Sequence, residues 1–268
     1  MSKGLVGSWI VAHLLTRGEN PASLRILDLI SPSTEILVQG VDYIKPNITD
    51  ELDFTAAFDK PWPEFVRQRS LTVFHTAAII RPSKRLKCFL PFCANVNING
   101  TKNILSAAKK AGATCFVSTS SGSVSLHKLS FWITPWERLP RRVMQILSDD
   151  PEIPERHDEY FGNYAVTKID AERIVRSADD PATWFRTGCI RPANGILGLE
   201  VMLIMQSFVN AENVSIAHLL YEQRLIEQGQ PSSFLPNIGG QSFVNVFQNT
   251  RLVPSSTARR TAAVIPRY

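Results

Sequence analysis

The sequence has few cysteines and histidines, and neither type is grouped. Its four cysteines, Cys88, Cys93, Cys115 and Cys189, form no CxxC pair, and five histidines are spread over 268 residues. A structural zinc site or a disulfide framework needs such side chains at short, regular spacings. We therefore predict that the chain holds no metal and that its thiols are reduced.

Long apolar runs and a secretory leader are missing as well. The longest nearly apolar stretch lies around Val201 to Met205, whereas a helix needs roughly 20 apolar residues to span a bilayer. No positively charged segment followed by an apolar one opens the chain. We therefore expect a cytoplasmic protein without a membrane span.

Acidic residues are absent from positions 251–268, which contain Arg251, Arg259, Arg260 and Arg267. The net charge is +5, so these four arginines leave only +1 for the rest of the chain. A nearly neutral body argues against nucleic acid as a partner. A basic segment rich in Ser, Thr, Ala and Pro is typical of disorder, so we predict a disordered tail at 251–268.

Short β-branched runs alternate with helical patterns, which is typical of βαβ units and a parallel sheet. The predicted strands are Leu24–Leu29, Ile36–Val41, Thr72–Ala77, Thr114–Ser118, Thr187–Arg191 and a short one at Ser242–Phe247. The predicted helices are Leu5–Thr16, Asp50–Phe58, Ala94–Ala111, Tyr160–Ala178 and Ala211–Gln228. No strand pattern precedes the first helix. The pattern predicts an α/β fold, a Rossmann-like doubly wound parallel sheet that lacks its first strand and has a reduced C-terminal substrate region.

Tyr164 and Lys168 stand four residues apart at the start of a helical pattern. Side chains at this spacing share a helix face, so the phenol and the ammonium can act on one substrate. A nearby cation is expected to lower the pKa of the phenol from roughly 10, which suits an acid/base group at a hydroxyl or carbonyl carbon. The spacing also occurs by chance in many helices, so it needs support from other motifs.

Gly4 and Gly7 open the first helical pattern and are typical of the end of a Gly-rich phosphate-binding turn. Asp28 closes a strand pattern 21 residues after Gly7, close to the spacing of about 20 for a carboxylate that binds the adenosine ribose. No nearby arginine is placed to accept a 2′-phosphate, which predicts NAD rather than NADP. An aspartate that only caps a turn is the structural alternative.

The chain resembles the extended short-chain dehydrogenase/reductases. The resemblance rests on the motifs above and on four further motifs, which follow one another in the order found in that family. The similarity is to the group of NAD-dependent epimerases/dehydratases and 3-beta-hydroxysteroid dehydrogenases/isomerases, and it covers roughly residues 4 to 225. The further motifs are Val73–Ala78, Val96–Asn103, Phe116–Ser121 and Arg191–Gly195.

The resemblance implies a role for each matching residue. Ser121 would donate a hydrogen bond to the substrate oxygen, Tyr164 would transfer the proton, and Asn97 would support Lys168 through backbone and water. Tyr160 and His75 are expected to be packing residues. The implied cofactor-binding residues are Gly4, Gly7, Asp28, Ala77, Ala78, Tyr164, Lys168 and Pro192.

The substrate class is predicted from an apolar, aromatic stretch between Ser121 and Tyr164. Trp132 and Trp136 suit a bulky hydrophobic molecule, although a locally packed lid is an equal alternative. The predicted substrate-binding residues are Ser121, Trp132, Trp136 and Asn194. We predict an NAD-dependent oxidoreductase that interconverts a secondary alcohol and a ketone on a steroid-like, terpenoid or polyketide molecule. A nucleotide-sugar epimerase/dehydratase and a catalytically inactive relative stay open as alternatives, as does a homodimer.

The domain organisation follows from these motifs. Residues 1–198 are predicted to form an NAD-binding Rossmann-like domain with the catalytic residues, 199–250 a reduced substrate-binding region, and 251–268 the tail. The absent first strand would leave its two neighbours with unpaired edges. The segment between Gly198 and Asn210 is short for the family pattern, so we expect a chain that is truncated at both ends.

Overall fold

The computed structural model describes residues 4–81, 85–128, 145, 148–193, 209–228 and 236–245, and the backbone of 260–264. These residues form a seven-stranded sheet in which every pairing is parallel. The strands are β1 Leu24–Leu27, β2 Asp42–Ile44, β3 Leu71–His75, β4 Ala113–Thr119, β5 Arg186–Pro192, β6 Ser242–Asn245 and β7 Arg260–Val264. The helices are α1 Leu5–Thr16, α2 Thr34–Val38, α3 Glu51–Asp59, α4 Glu64–Arg67, α5 Leu90–Ala94, α6 Gly100–Lys110, α7 Asn163–Arg176 and α8 Ala211–Gln228.

The strand order across the sheet is β2-β1-β7-β3-β4-β5-β6. Every residue of β1 and of β3 is buried, as expected when helices cover both faces of a parallel sheet. The order reverses between β7 and β3, which is the arrangement of a doubly wound fold. The predicted α/β, Rossmann-like fold class is confirmed.

The third position in the strand order, inside the sheet, is occupied by β7, which comes from the basic C-terminal segment. Val264 of β7 pairs with Leu27 on one side and with His75 on the other. Among the described residues no strand precedes α1, and β7 takes the place of that strand. The prediction of unpaired edges at this position is therefore wrong, and so is the prediction of disorder for residues 260–264.

Residues 260–264 form a strand because the two neighbouring strands need backbone hydrogen-bonding partners. Both β1 and β3 are buried, and an unpaired row of backbone N–H and C=O groups inside a sheet is costly. Composition favoured disorder for the segment, but hydrogen bonding to two strands at once offsets the entropy of ordering five residues.

Two hydrophobic layers hold the helices against the sheet. On one face, α1 and α8 pack against each other and bury Ile10, Leu14 and Leu219 with Phe74 of β3. The other face carries α3, α6 and α7, with a core of Phe54, Phe58, Ile104, Phe116 and Val175 among others. The close approach of α8 to β5 needs a glycine, because a Cβ on Gly188 would lie 2.2 Å from the Tyr221 hydroxyl.

Two predicted elements differ from the structure. The segment predicted as a strand at Ile36–Val41 overlaps the short helix α2, and the strand β2 begins later, at Asp42. Gly40 separates them with a φ of 97°, a conformation that glycine adopts without strain and that ends the helix. The helix predicted at Ala94–Ala111 is interrupted by a π-helical turn at Asn95–Asn99.

Within the described ranges, no helix combines the length and the apolarity needed to cross a bilayer.

The position of β7 leads to a prediction about stability. A proline at Ala262, in the middle of a central strand, removes one ladder hydrogen bond and leaves its partner buried. We expect Ala262→Pro to lower the free energy of unfolding by about 2 kcal/mol or more. Ala262→Ser keeps the N–H group and is the matched control, with a small effect. Equal thermal unfolding curves for the two variants would mean that β7 does not pair as described.

Candidate active site

The predicted site residues lie at one edge of the sheet because neighbouring parallel strands end there together. Asp28 follows β1, Ala77 and Ala78 follow β3, Ser121 follows β4, and Pro192 is the last residue of β5. Ligands of doubly wound proteins bind at this carboxyl edge, near the point where the strand order reverses. The fold thus brings the predicted cofactor and catalytic residues to the side where such a site is expected.

The Ser121 hydroxyl lies near the Tyr164 phenol and acts to lower its pKa. Ser121 is almost completely buried and starts a 3-10 turn, in which the Ser123 N–H donates to its Oγ at 3.2 Å. Tyr164 is in the first turn of α7, directly after Asn163, the first helical residue. The serine and the phenol that the sequence pairs are therefore neighbours.

The pKa of Tyr164 is shifted in the direction opposite to the prediction. Burial raises it to about 12, because a phenolate is poorly solvated there, and the hydrogen bond with Ser121 acts in the lowering direction. The Lys168 ammonium donates to the Thr119 carbonyl at 2.5 Å. The predicted lowering of the phenol pKa by this lysine is therefore wrong, because burial dominates.

Lys168 is buried on α7, one turn after Tyr164. Burial lowers the pKa of its ammonium from 10.5 to about 8, while the negative charge of Glu172 acts in the raising direction. A lysine with this pKa is still mostly protonated at neutral pH, so it can bind a hydroxyl or an anion at the edge of the sheet.

Asn97 lies in the π-helical turn and links two parts of the site. Its Oδ1 accepts the Ile79 N–H at 2.7 Å, and its Nδ2 donates to the Ile79 carbonyl at 3.2 Å. Nδ2 also lies 2.9 Å from Oγ1 of Thr167, the residue before Lys168. Support of the lysine through backbone and water stays a prediction, but the side chain does connect the lysine helix to the loop after Ala78.

The remaining predicted cofactor residues are placed as follows. Gly4 is the N-cap of α1 and Gly7 is buried in its first turn. Asp28 is buried, and its Oδ1 accepts the Ile30 N–H at 3.1 Å, so the carboxylate also caps a turn. Trp132, Trp136 and Asn194, which were predicted to bind substrate, lie outside the described residues.

Two expected packing residues are confirmed. His75 is buried, its Nε2 is 2.9 Å from Thr101 Oγ1, and burial lowers its pKa to about 3, so it is neutral. Tyr160 is buried and donates its hydroxyl hydrogen to the Pro154 carbonyl. In the part of the chain that the structure describes, no group of three His, Cys, Asp or Glu side chains could hold a metal ion.

Sequence reasoning missed a buried ion pair behind the site. Glu172 of α7 binds Arg191 of β5 in a bidentate pair, with 2.7 Å between Arg191 Nη2 and Glu172 Oε1. The spacing in the sequence could have indicated that Glu172 belongs to the site. Glu172 is four residues after Lys168 and eight after Tyr164, so it lies on the same helix face.

The sequence matches the 3-beta hydroxysteroid dehydrogenase/isomerase family over residues 2–202, three quarters of the chain. The chain belongs to this family. The 3 beta-hydroxysteroid dehydrogenase/Delta 5-->4-isomerase of Mycobacterium tuberculosis is 30% identical over 203 residues, covering 73% of this chain and 45% of that protein. The human sterol-4-alpha-carboxylate 3-dehydrogenase, decarboxylating, is 35% identical over 127 residues, or 47% of this chain and 28% of that protein.

This chain thus spans about half the length or less of these curated relatives. Among solved structures, the UDP-glucose 4-epimerase of Thermus thermophilus in complex with NAD is similar with a TM-score of 0.52 and 19% identity. The similarity covers 81% of this chain and 71% of the epimerase. At this identity the likeness shows a shared fold.

The contacts of Asn97 lead to a second prediction. Asn97→Ala leaves both backbone groups of Ile79 without the side chain that binds them, so we expect a loss of about 2 kcal/mol in the free energy of unfolding. NADH should also bind more weakly, because the loop after Ala78 loses its anchor. The control is Asn99→Ala, an exposed position two residues away, where the effect should stay within about 0.5 kcal/mol. Similar melting temperatures for the two variants would contradict the anchoring role.

Proposed function

We propose that the protein is an NAD-dependent dehydrogenase that interconverts a secondary alcohol and a ketone on a steroid-like molecule. The observation that carries this proposal is the placement of Ser121 beside Tyr164, one helical turn from Lys168, at the carboxyl edge of a doubly wound sheet. A hydroxyl, a phenol and an ammonium group at this edge can bind a carbonyl oxygen and transfer a proton to it.

The residues at the sheet edge fit NAD. Asp28 places a buried carboxylate at the end of β1, where an adenosine ribose would bind. Ala77 and Ala78 have small side chains that would let a flat cofactor approach the end of β3 closely, and the N-terminus of α1 offers backbone N–H groups to a pyrophosphate. When bound, NAD supplies the hydride acceptor of the oxidation.

The chain's own residues supply the proton chemistry. With a pKa of about 12, the Tyr164 phenol is protonated at neutral pH and is ready to donate a proton to a ketone oxygen. Ser121, which lies near the phenol, would donate to the same substrate oxygen. Oxidation of an alcohol needs the phenolate, so we expect the oxidation rate to rise with pH until Lys168 loses its proton above about pH 8.

The steroid class is supported by the two curated relatives, which are named for 3 beta-hydroxysteroid and sterol substrates. A nucleotide sugar is the substrate of the epimerase with the similar fold, but no contact among the described residues favours it. A cytoplasmic location and a homodimer stay predictions.

The test is oxidation of 3β-hydroxysteroids, followed by the absorbance of NADH. We expect turnover with NAD and much less with NADP, because the Asp28 carboxylate repels a 2′-phosphate, which costs on the order of 1–3 kcal/mol. Turnover of a nucleotide sugar with the hydride retained on bound NAD would instead indicate an epimerase. A protein that does not quench or enhance NADH fluorescence on titration would be non-catalytic.

The proton donor is tested by Tyr164→Phe. The change deletes one hydroxyl, so we expect kcat to fall by at least about 100-fold while the Kd for NADH changes little. Tyr160→Phe is the matched control, because it removes the hydroxyl of a neighbouring tyrosine that binds only a backbone carbonyl. It should keep kcat and lose about 1 kcal/mol of stability. Near-normal kcat in Tyr164→Phe would refute the assignment.

A further inference from the structure

Glu172 is a completely buried carboxylate whose side chain is 0% exposed. Its Oε2 accepts a hydrogen bond from Ser120 Oγ at 2.6 Å and one from Arg191 Nε at 3.0 Å. Arg191 Nη2 donates to Oε1 at 2.7 Å, which completes a bidentate pair. A buried charge is tolerated when it is paired and hydrogen-bonded in this way.

These contacts join the three elements that carry the proposed reaction. Ser120 directly precedes Ser121, and Arg191 directly precedes Pro192 at the end of β5. Glu172 itself is on α7, one turn beyond Lys168. A displacement of this carboxylate would therefore change the positions of the serine, the end of β5 and the lysine helix relative to one another.

The charges around Lys168 give the carboxylate a second role. Among the described residues, four titratable groups besides Tyr164 interact electrostatically with the lysine: His75 of β3, His218 of α8, Cys189 of β5 and Glu172. Burial lowers the pKa of His75 to about 3 and that of His218 to about 4, so both are neutral at pH 7.

Burial also raises the pKa of the Cys189 thiol well above its usual value, so it is neutral too. Burial acts to raise the pKa of Glu172, but hydrogen bonding and the charge of Arg191, with Ser120, lower it overall. Glu172 is therefore the anion among these four groups. Its other charged neighbour is Arg176, at 3.5 Å from Oε1.

We propose that Glu172 is a positioning residue: it holds Ser121 through Ser120 and the end of β5 through Arg191, and it supplies the negative charge beside the Lys168 ammonium. The part that concerns turnover rests on the proposed dehydrogenase function. The part that concerns the lysine can be measured without any substrate.

The experiment is an NMR titration of protein labelled with ¹⁵N at the lysine ζ positions, with Lys168→Met to assign the signal. In Glu172→Gln we expect the midpoint of the Lys168 titration, near pH 8 in the unmutated protein, to move down by on the order of one pH unit. In a parallel assay, kcat at neutral pH should fall by about tenfold or more, with little change in the Kd for NADH.

Glu222→Gln is the matched control, because Glu222 is an equally buried carboxylate on α8, 3.8 Å from Arg17. It should leave the Lys168 titration and kcat unchanged. Glu172→Asp keeps the negative charge on a side chain that is one methylene group shorter. It should leave the midpoint of the Lys168 titration unchanged and lower kcat. If Glu172→Gln does not fold, Glu172→Gln combined with Arg191→Gln also removes the buried guanidinium that would lose its bidentate partner, and it is titrated instead, with a downward shift still expected.

An unchanged Lys168 titration in the folded variant would overturn the inference, even if stability and kcat both fell, because a purely structural role predicts that result. The failure of the proposed function has a different signature. In that case the unmutated protein shows no turnover of 3β-hydroxysteroids, whereas the Lys168 titration still shifts in Glu172→Gln and supports the electrostatic role.

Discussion

The parallel pairing of β7 with β1 and β3 is the interaction on which the rest of the described structure depends. It joins the pair β1 and β2 to the block formed by β3, β4, β5 and β6. Asp28 is in the first part, whereas Ser121, Tyr164 and Lys168 belong to the second part or to the helix that packs on it. Asp28 and the proposed catalytic residues therefore share one sheet edge only while β7 is in place.

The position of β7 also affects the helices. Contacts of α1 reach both β7 and α8, so the N-terminal helix is held by the C-terminal strand as well as by its neighbour. Backbone N–H groups at a helix N-terminus can bind a pyrophosphate only if the helix is fixed relative to the sheet. Cofactor binding and sheet completion are thus expected to be linked, with NAD stabilising the folded chain by mass action.

The candidate site contains titratable groups whose charged forms are destabilised by burial. Burial keeps the Tyr164 phenol protonated, with a pKa of about 12, and weakens the proton affinity of Lys168, with a pKa of about 8. In water the two groups titrate close together, at about 10 and 10.4, so the fold moves their pKa values apart. The buried carboxylate of Glu172 offsets part of the cost of burying the ammonium.

Local patterns in the sequence predicted most of the fold and which residues lie together at the candidate site. The motif around Ser121, the spacing of Tyr164 and Lys168, and the strand that ends at Asp28 are all short-range features, so they can be read without knowing the tertiary structure. The π-helical turn at Asn97 and the helix α2 depend on neighbouring packing and were missed.

Features that depend on distant contacts could not be predicted in the same way. Residues 24–27 and 260–264 are far apart in sequence, and the composition of the latter favours disorder. The direction of the Tyr164 pKa shift depends on burial, which the spacing to Lys168 does not reveal. The pairing of Glu172 with Arg191 likewise requires the register of α7 against β5.

Hydrogen–deuterium exchange of the C-terminal segment tests the central claim most directly. If β7 joins the two parts of the sheet, the amides of Thr261 to Val264 should be protected to a similar degree as those of β1 and β3, since central strands open only in global unfolding. Exchange of these amides at the rate of an unstructured peptide, while β3 and β4 stay protected, would contradict the account.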